Sequence, residues 1–409
     1  MNIALFTDSY LPTKSGIVTV VVQLRKILEE YGHNVVVITV NCHEIDEDAP
    51  EEKNVLRVKS IKTAYGNHQY IGVPSRRKVV AFLREHNVQL IHAHTEFFVG
   101  HCATVAGKKL GIPVIATTHT MWEDYYRYYL KLGKIIPKKA IRKIVRILYK
   151  RFYALINVSE KARCYFKQPF MLPLTPSAVI PNAIDASRFS QRVCTEEEKA
   201  ELKKKLGIRD GDRVVLYVGR IVEEKRLAEL YEIMRNVIKR QSGIKMLFVG
   251  SGAMEEPLRE KCQAEGLSSD IIFTGFIDWT ELYKYYDICD LFVTASLSEM
   301  HSMTILEALI SAKPVVCRRD SSFSDTVFDG KDGYFADTDN EMEEKILSLL
   351  ADRPLMEAMG REAKKVSSSF TLDVHGKRTL AFYELVLKNY PRRVTSEMLR
   401  RAVENAVSK

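Results

Sequence analysis

The sequence predicts an α/β protein made of two halves that share one parallel architecture, and three observations carry that expectation. An apolar strand over residues 3–7, a turn-rich loop ending at Gly16, a helix, and a second apolar strand over 35–39 open the chain. That order is the signature of a parallel α/β unit. The same order restarts downstream: a strand over 213–218, the turn Gly219-Arg220, a helix from residue 227, a strand over 245–249, then Gly250-Ser251-Gly252. The length of 409 residues suggests two or three domains, each able to bury a core.

In the opening unit Ile17, Val21, Leu24 and Leu28 fall at helical spacing, and Gly32 stops the helix. The Gly16 loop lies where such units bind phosphate, although one glycine equally suits an ordinary turn. The acidic loop over 44–52 reads as solvated. Pro74-Ser75 begins a basic helix that runs to Glu85. A strand over 88–94 ends in His92-Ala93-His94. Two histidines at this spacing can share a metal, but with no third ligand in the sequence they read as ordinary loop histidines. The next strand, over 112–118, ends Thr117-Thr118-His119-Thr120. A strand over 177–180 runs into Pro181-Asn182-Ala183-Ile184-Asp185, which closes a first domain of residues 1–185. In a second domain, residues 186–370, Thr195 with Glu198 forms a capping-box pattern for a helix ended by Gly207. Further strands fall at 271–274, 291–295 and 314–317. The remaining segment, 371–409, carries Leu380, Tyr383 and Leu387 on a long amphipathic helix expected to pack back towards the first domain. Beyond Pro391 the expectation is a basic, loosely held tail.

Composition narrows the partners. An apolar fraction of 46% and a charged fraction of 28% belong to an ordinary water-soluble fold. A formal charge of +9 favours anionic partners such as nucleotides, phospholipid surfaces or nucleic acid. The seven cysteines, at 42, 102, 164, 194, 262, 289 and 317, are scattered and never in C-x-x-C spacing. They read as reduced intracellular thiols and not as a disulfide frame or a zinc site. The N-terminus lacks the basic start and apolar stretch of a signal peptide, and no apolar run is long enough to span a bilayer. The expectation is a cytoplasmic protein whose membrane contact is peripheral.

One stretch points to such a contact. Between Arg127 and Arg151 lie Lys131, Lys134, Lys138, Lys139, Arg142, Lys143, Arg146 and Lys150 with no acid among them. Ile141, Ile144, Val145, Leu148 and Phe152 repeat at helical spacing, and Trp122, Tyr125, Tyr126, Tyr128 and Tyr129 lie just upstream. A basic amphipathic helix beside aromatics is a membrane-surface signature. The alternative is a core-facing stripe with a solvated basic back.

The densest chemistry lies in Glu299-Met300-His301-Ser302-Met303-Thr304-Ile305-Leu306-Glu307. It follows a strand and opens a helix, so Glu299 falls in the turn and Glu307 inside the helix. First-turn N–H groups at such a place suit a phosphate-bearing ligand, although a polar turn before an apolar helix is also common. Arg220 and Lys225 stand at the end of the second domain's first strand. Arg220 can grip phosphate with its planar fork and Lys225 adds a compact charge; pairing with Glu223 and Glu224 is the alternative. Gly250-x-Gly252 lacks the third glycine of a dinucleotide fingerprint and reads as a tight turn.

These pieces together resemble the retaining, nucleotide-sugar-dependent glycosyltransferases of family 4. They comprise Gly219-Arg220 with Lys225, Val179-Ile180-Pro181-Asn182 with Ile184-Asp185, Val249-Gly250-x-Gly252, and Glu299 with Glu307. The resemblance implies the GT-B architecture, two Rossmann-like domains facing across a cleft. Thr118-His119-Thr120-Met121-Trp122-Glu123-Asp124-Tyr125, the basic helix, and the opening Phe6-Thr7-Asp8-Ser9-Tyr10 are similar to bacterial diacylglycerol glucosyltransferases, which make membrane glycolipids.

It implies roles as well. Arg220 and Lys225 would hold the donor diphosphate, Gly16 would let a loop approach it, and Glu307 would bind the ribose. Glu299 and His119 would contact the transferred sugar. Gly250, Phe276 and the amides around Ser302, Met303 and Thr304 would complete the donor site. Trp122, Lys138, Lys139, Arg142, Lys143, Arg146 and Lys150 would meet an anionic membrane. No cofactor, metal or nucleic acid is implied, and the partners would be a UDP-sugar and a lipid acceptor at the inner face of the cell membrane.

Departures from the family pattern bear on specificity. Ala183 replaces the usual glycine after Pro-Asn, and His301-Ser302-Met303 replaces Gly-Phe-Gly. The lipid glucosyltransferases favour Thr-Gln-Gly-Leu-Thr over 300–304, of which only Thr304 remains. Donor identity, glucose or galactose, is therefore open. A soluble or polyprenyl-linked acceptor is the alternative enzyme reading, and a non-catalytic protein binding an anionic surface is the alternative of another class.

Overall fold

The computed structural model describes residues 1–409 except 43–44, 46–48, 63–69, 130–134, 187–188, 190–192 and 408–409. The chain forms two compact units, Met1–Ala183 with Leu372–Lys409, and Ile184–Thr371.

The first unit contains β1 (Asn2–Phe6), α1 (Gly16–Glu30), β2 (Asn34–Val40), β3 (Val55–Val58), β4 (Ser60–Lys62), β5 (Tyr70–Gly72) and α2 (Arg76–Glu85). Then follow β6 (Leu90–Ala93), α3 (Phe98–Leu110), β7 (Val114–Thr118), α4 (Trp122–Tyr129), α5 (Lys138–Tyr149), β8 (Ala154–Asn157), α6 (Glu160–Lys167) and β9 (Ser177–Val179). Seven of these strands form a parallel sheet in the order β3-β2-β1-β6-β7-β8-β9. Strands buried on both faces read as continuous apolar runs, which is why 35–39 was legible.

The second unit contains α7 (Glu196–Lys205), β10 (Arg213–Val218), α8 (Leu227–Arg240), β11 (Ile244–Val249), α9 (Glu255–Ala264), β12 (Ile271–Gly275) and α10 (Leu282–Ile288). It continues with β13 (Leu291–Thr294), α11 (Met303–Ile310), β14 (Val315–Arg318), β15 (Gly333–Ala336), α12 (Asp339–Ala351) and α13 (Arg353–Ser367). Its parallel sheet runs β12-β11-β10-β13-β14-β15, the doubly wound order. Leu230, Met234, Val237 and Ile346 pack on one face, and Leu306, Leu309, Tyr286 and Ala363 on the other. The chain thus has two Rossmann-like α/β domains.

After the second unit the chain returns to the first as α14 (Leu372–Asn389) and α15 (Ser396–Asn405). The expected loose tail beyond Pro391 is instead this second helix. Thr395 caps it by accepting from Met398 N, and Leu399 and Val403, one turn apart, are buried in the first unit's core. Ser396 Oγ accepts from Lys167 Nζ at 2.9 Å and from Ser177 N at 3.0 Å, tying the helix to the β9 edge.

Candidate functional site: a cationic switch point and a histidine pair

In a doubly wound sheet the strand order reverses at one place, and the loops leaving the two central strands part there to leave a ligand crevice. In the second unit the reversal lies between β10 and β13. The loop after β10 carries Arg220 and Lys225; the loop after β13 carries Glu299. Topology therefore brings together residues far apart in sequence. Lys225 Nζ donates to Glu299 Oε1 at 2.5 Å, with both side chains largely withdrawn from solvent. Arg220 pairs with the buried Glu224 while its own side chain stays 53% exposed. Ser298 Oγ donates to the Glu224 carbonyl at 3.0 Å, and Tyr217 Oη donates to the Arg220 carbonyl at 3.2 Å. Both alternatives from the sequence coexist: Arg220 is paired with a glutamate and remains exposed at the switch point.

The glycines here are steric necessities. Gly250 has φ +134, and a Cβ on it would lie 1.9 Å from the Gly219 carbonyl oxygen. A Cβ on Gly252 would lie 2.3 Å from the Ile221 oxygen. Gly219 N donates to Val249 O and Ile221 N to Ser251 O, so the loops leaving β10 and β11 are laced backbone to backbone. A tight turn is the right reading of Gly250-x-Gly252, and its purpose is this close approach.

Ser302 caps α11 by accepting from Ile305 N at 3.4 Å, and its hydroxyl lies 3.1 Å from that of Thr304. Met303 and Thr304 occupy the first turn, where helical N–H groups lack intrahelical acceptors. Glu307 lies one turn further on, half-buried, with Oε2 accepting from Tyr286 Oη at 2.9 Å. Burial, with the Glu307 carboxylate second, holds the Tyr286 phenol well above its usual pKa, so it stays a donor. Phe276, just past β12, is 57% exposed. Sequence reasoning named Glu224 as a pairing partner but missed Tyr217 and Tyr286, because a buried partner distant in sequence has no local signature.

In the first unit the reversal lies between β1 and β6. Asp8, after β1, accepts from Thr95 Oγ1 at 2.6 Å and Val99 N at 3.1 Å, linking the loops after those two strands. Gly16 is the first residue of α1, exposed, with nothing within 4 Å of the position a Cβ would take. His92 and His94, expected as loop histidines, are buried at 1% and 2% exposure. His92 bridges Tyr383 Oη and Thr117 Oγ1, each at 2.6 Å. His94 Nδ1 lies 3.0 Å from Nε2 of the half-buried His119. Burial, with His375 second, pushes the His119 pKa down to about 3, and burial also lowers His92 and His94 well below their usual range. All three rings are neutral at pH 7. Among the described residues no three His, Cys, Asp or Glu side chains are grouped to hold a metal ion.

The basic segment divides into spent and unspent residues. The Trp122 indole N–H donates to Glu96, which also accepts from Tyr149 Oη at 3.2 Å. Arg142 forms a two-pronged pair with Glu123, at 2.6 and 2.7 Å, and its guanidinium lies 4.1 Å from the Phe170 ring centroid. Tyr165 Oη donates to the same Glu123 at 2.6 Å. Trp122 and Arg142 therefore fasten α4 and α5 to the body. Lys138, Lys139, Lys143, Arg146 and Lys150 are exposed. Ile144, expected in the core stripe, is 49% exposed, and Ile147 is 48% exposed; Ile141, Val145 and Tyr149 supply the buried face. The helix is turned so that its apolar residues divide between core and solvent. Lys131, Lys134 and the side chains of Tyr125, Tyr128 and Tyr129 lie outside the described residues. No described helix is long and apolar enough to cross a membrane.

Two Rossmann-like domains with parallel sheets, one of them with cations and carboxylates grouped at its switch point, are the architecture of the GT-B class. Two family models match the chain: Glycosyltransferase Family 4 over residues 14–188 and Glycosyl transferases group 1 over 198–366. The chain belongs to glycosyltransferase family 4 and has the GT-B fold. It is 29% identical to an alpha-monoglucosyldiacylglycerol synthase of Streptococcus pneumoniae, over 94% of this chain and 85% of that one. It is 28% identical to the protein of the same name from Acholeplasma laidlawii, over 95% and 98%. TuaC of Bacillus subtilis, a glycosyltransferase assigned to teichuronic acid biosynthesis, is 30% identical over 68% and 72%. Among solved structures, Anabaena Alr3699/HepE in complex with UDP superposes with a TM-score of 0.75 at 16% identity, over 94% of this chain and all of that one.

Proposed function

We propose that this glycosyltransferase moves a glucosyl residue from UDP-glucose to diacylglycerol, with retention of configuration and without a divalent metal, while seated on an anionic membrane. The observation that carries the donor half is the grouping of Arg220, Lys225 and Glu299 at the second unit's switch point. In this reading Arg220 and Lys225 neutralise the diphosphate, and the first-turn amides of Met303 and Thr304 add the positive end of α11. Glu307 binds the ribose, with Tyr286 orienting its carboxylate. Phe276 and Gly250 flank the nucleotide, Gly16 leaves room for the diphosphate, and Glu299 and His119 contact the sugar. The acceptor oxygen attacks the anomeric carbon as the bond to the β-phosphate oxygen breaks. The electron pair goes to that phosphate oxygen, which takes the acceptor's proton on the same face. Glu299 is engaged by Lys225, an arrangement that favours front-face attack over a covalent intermediate on this carboxylate.

The lipid half draws support from the names of the pneumococcal and Acholeplasma relatives and from the exposed side of α5. Lys139, Lys143, Arg146 and Lys150 fall at i, i+4, i+7 and i+11, one cationic stripe, beside the exposed Ile144 and Ile147. The relationship to TuaC favours a second reading in which the acceptor is a soluble or polyprenyl-linked glycan. Transfer of radiolabelled sugar from UDP-glucose and UDP-galactose to diacylglycerol in mixed micelles, with and without anionic lipid, separates the two. Chloroform-soluble label from UDP-glucose is expected. Hydrolysis without chloroform-soluble label would overturn the lipid acceptor and leave the transferase.

A further inference from the structure

The His94 ring is held more tightly than a filler of core volume needs to be. It lies between two other imidazoles, with ring centroids 4.2 Å from His92 and 5.3 Å from His119, the latter nearly parallel at 22°. Its Nε2 is buried without a protein partner. Its Nδ1 has one, His119 Nε2 at 3.0 Å. A buried imidazole with one nitrogen unsatisfied is a poor choice for packing alone, since an apolar side chain would fill the space without that penalty. The contact it does make is therefore its reason to be there.

That contact has a direction. Both rings are neutral, so one proton lies between the two nitrogens, and either ring can be the donor. Were His119 to donate, His94 would carry its own proton on Nε2 as a buried N–H with no acceptor. Orphaned buried donors are rarer than under-satisfied acceptors. With His94 donating, its Nε2 is a bare lone pair facing a small internal cavity, an under-satisfied acceptor in place of an orphaned donor. We propose that His94 is a positioning residue that donates from Nδ1 to His119 Nε2 and so fixes His119 with its proton on Nδ1, an N–H offered to a hydroxyl of the transferred sugar. The last clause rests on the assignment of His119 to the sugar; the fixed tautomer does not. An imidazole free in water prefers the opposite tautomer, so a neighbouring donor is what the arrangement requires.

Long-range 1H–15N correlation spectra of the imidazole-labelled full-length chain read the tautomer directly. His119 is expected to show a protonated Nδ1 and a bare Nε2 at pH 7. His94→Leu releases it to a mixture or to the Nε2–H form, while His94→Asn, whose side-chain amide stands near the imidazole Nδ1 position, retains the native signature. An Nε2–H form in the native protein, or a His119 spectrum unchanged by His94→Leu in a protein that still melts cooperatively, overturns the proposal. In the transfer assay His94→Leu should lower kcat about tenfold, the loss of one orienting hydrogen bond, with KM for the UDP-sugar within about twofold. His94→Asn should recover most of that loss. Added to His119→Ala, His94→Leu should cost nothing more; a full further loss would mean His94 acts only on folding and would overturn the proposal. Should His119→Ala transfer sugar normally, the assignment of His119 to the sugar fails, and the spectra still decide whether His94 sets its tautomer.

Discussion

Replacing Lys225 with alanine tests the switch-point site on two independent scales. Lys225 and Glu299 are 2.5 Å apart with side chains 11% and 18% exposed, a nearly buried pair with a residue of solvent contact. Removing one partner of a fully buried pair costs ~3–5 kcal/mol, and screening through the exposed fraction reduces the expectation here to ~1–2 kcal/mol. In a unit of this size that lowers Tm by roughly 2–8 °C. The donor side carries a separate loss. A charge-assisted hydrogen bond to the diphosphate is worth ~1.5–3 kcal/mol, which is about a 10- to 150-fold weaker Kd for UDP. Calorimetric UDP titration and thermal melts of Lys225→Ala, Glu299→Gln and the double variant separate the two. The double variant should regain part of the lost stability, because no unmatched carboxylate is left, yet it should bind UDP as weakly as Lys225→Ala. Unchanged UDP affinity in Lys225→Ala would refute the diphosphate role, and absence of any coupling in stability would refute the ion pair.

Three further outcomes are expected. Glu307→Ala should weaken UDP binding about tenfold, and Tyr286→Phe should do so by less, because the phenol orients the carboxylate without contacting the ligand; equal affinities by titration would contradict this. Burial raises the Glu96 carboxyl to about 7. The folded protein therefore holds this proton more tightly than the unfolded chain, so Glu96's contribution is complete below pH 4.5 and lost as pH rises through 7. Its size is at most ~3 kcal/mol, and melting curves of Glu96→Gln against native protein should diverge across that window, the variant gaining at alkaline pH. Reversing Lys139, Lys143, Arg146 and Lys150 to glutamate removes ~1 kcal/mol of attraction per charge, so sedimentation with anionic vesicles should fall by about three orders of magnitude while UDP-glucose hydrolysis is spared. Persistent sedimentation would move the membrane contact elsewhere.

How much of this was legible depended on the range of the interaction. Parallel strands such as β2 and β13 announce themselves because both faces are buried. β15 passed unread, since Gly333-Tyr334-Phe335-Ala336 is short and begins with a residue that usually marks a turn. In the second unit Arg220, Lys225, Glu299 and Glu307 sit past strand ends or within the first turns of a helix, and those places could be read from the pattern alone. The pairing of Lys225 with Glu299 was not legible, because the two meet only through the pairing of β10 with β13. The same holds for Trp122, which reads locally as an interfacial aromatic until the fold sets Glu96 beside it. The α15 helix was misread because the basic residues of the tail outnumber Leu399 and Val403, whose one-turn spacing is the only sign of a buried face.

The return of residues 372–409 to the first unit has a consequence for synthesis. The second unit is a contiguous stretch inserted into an interrupted one, so on the ribosome it can close first while its predecessor waits. The first unit's core lacks Phe382, Tyr383, Leu399 and Val403 until the last helices emerge. The hydrogen bond between Tyr383 and His92, one ring away from the His94–His119 pair, is likewise missing until then. Chaperones would meet a half-built first unit throughout that interval, and a nascent chain arrested before residue 372 should present a protease-resistant second unit joined to a protease-sensitive first one.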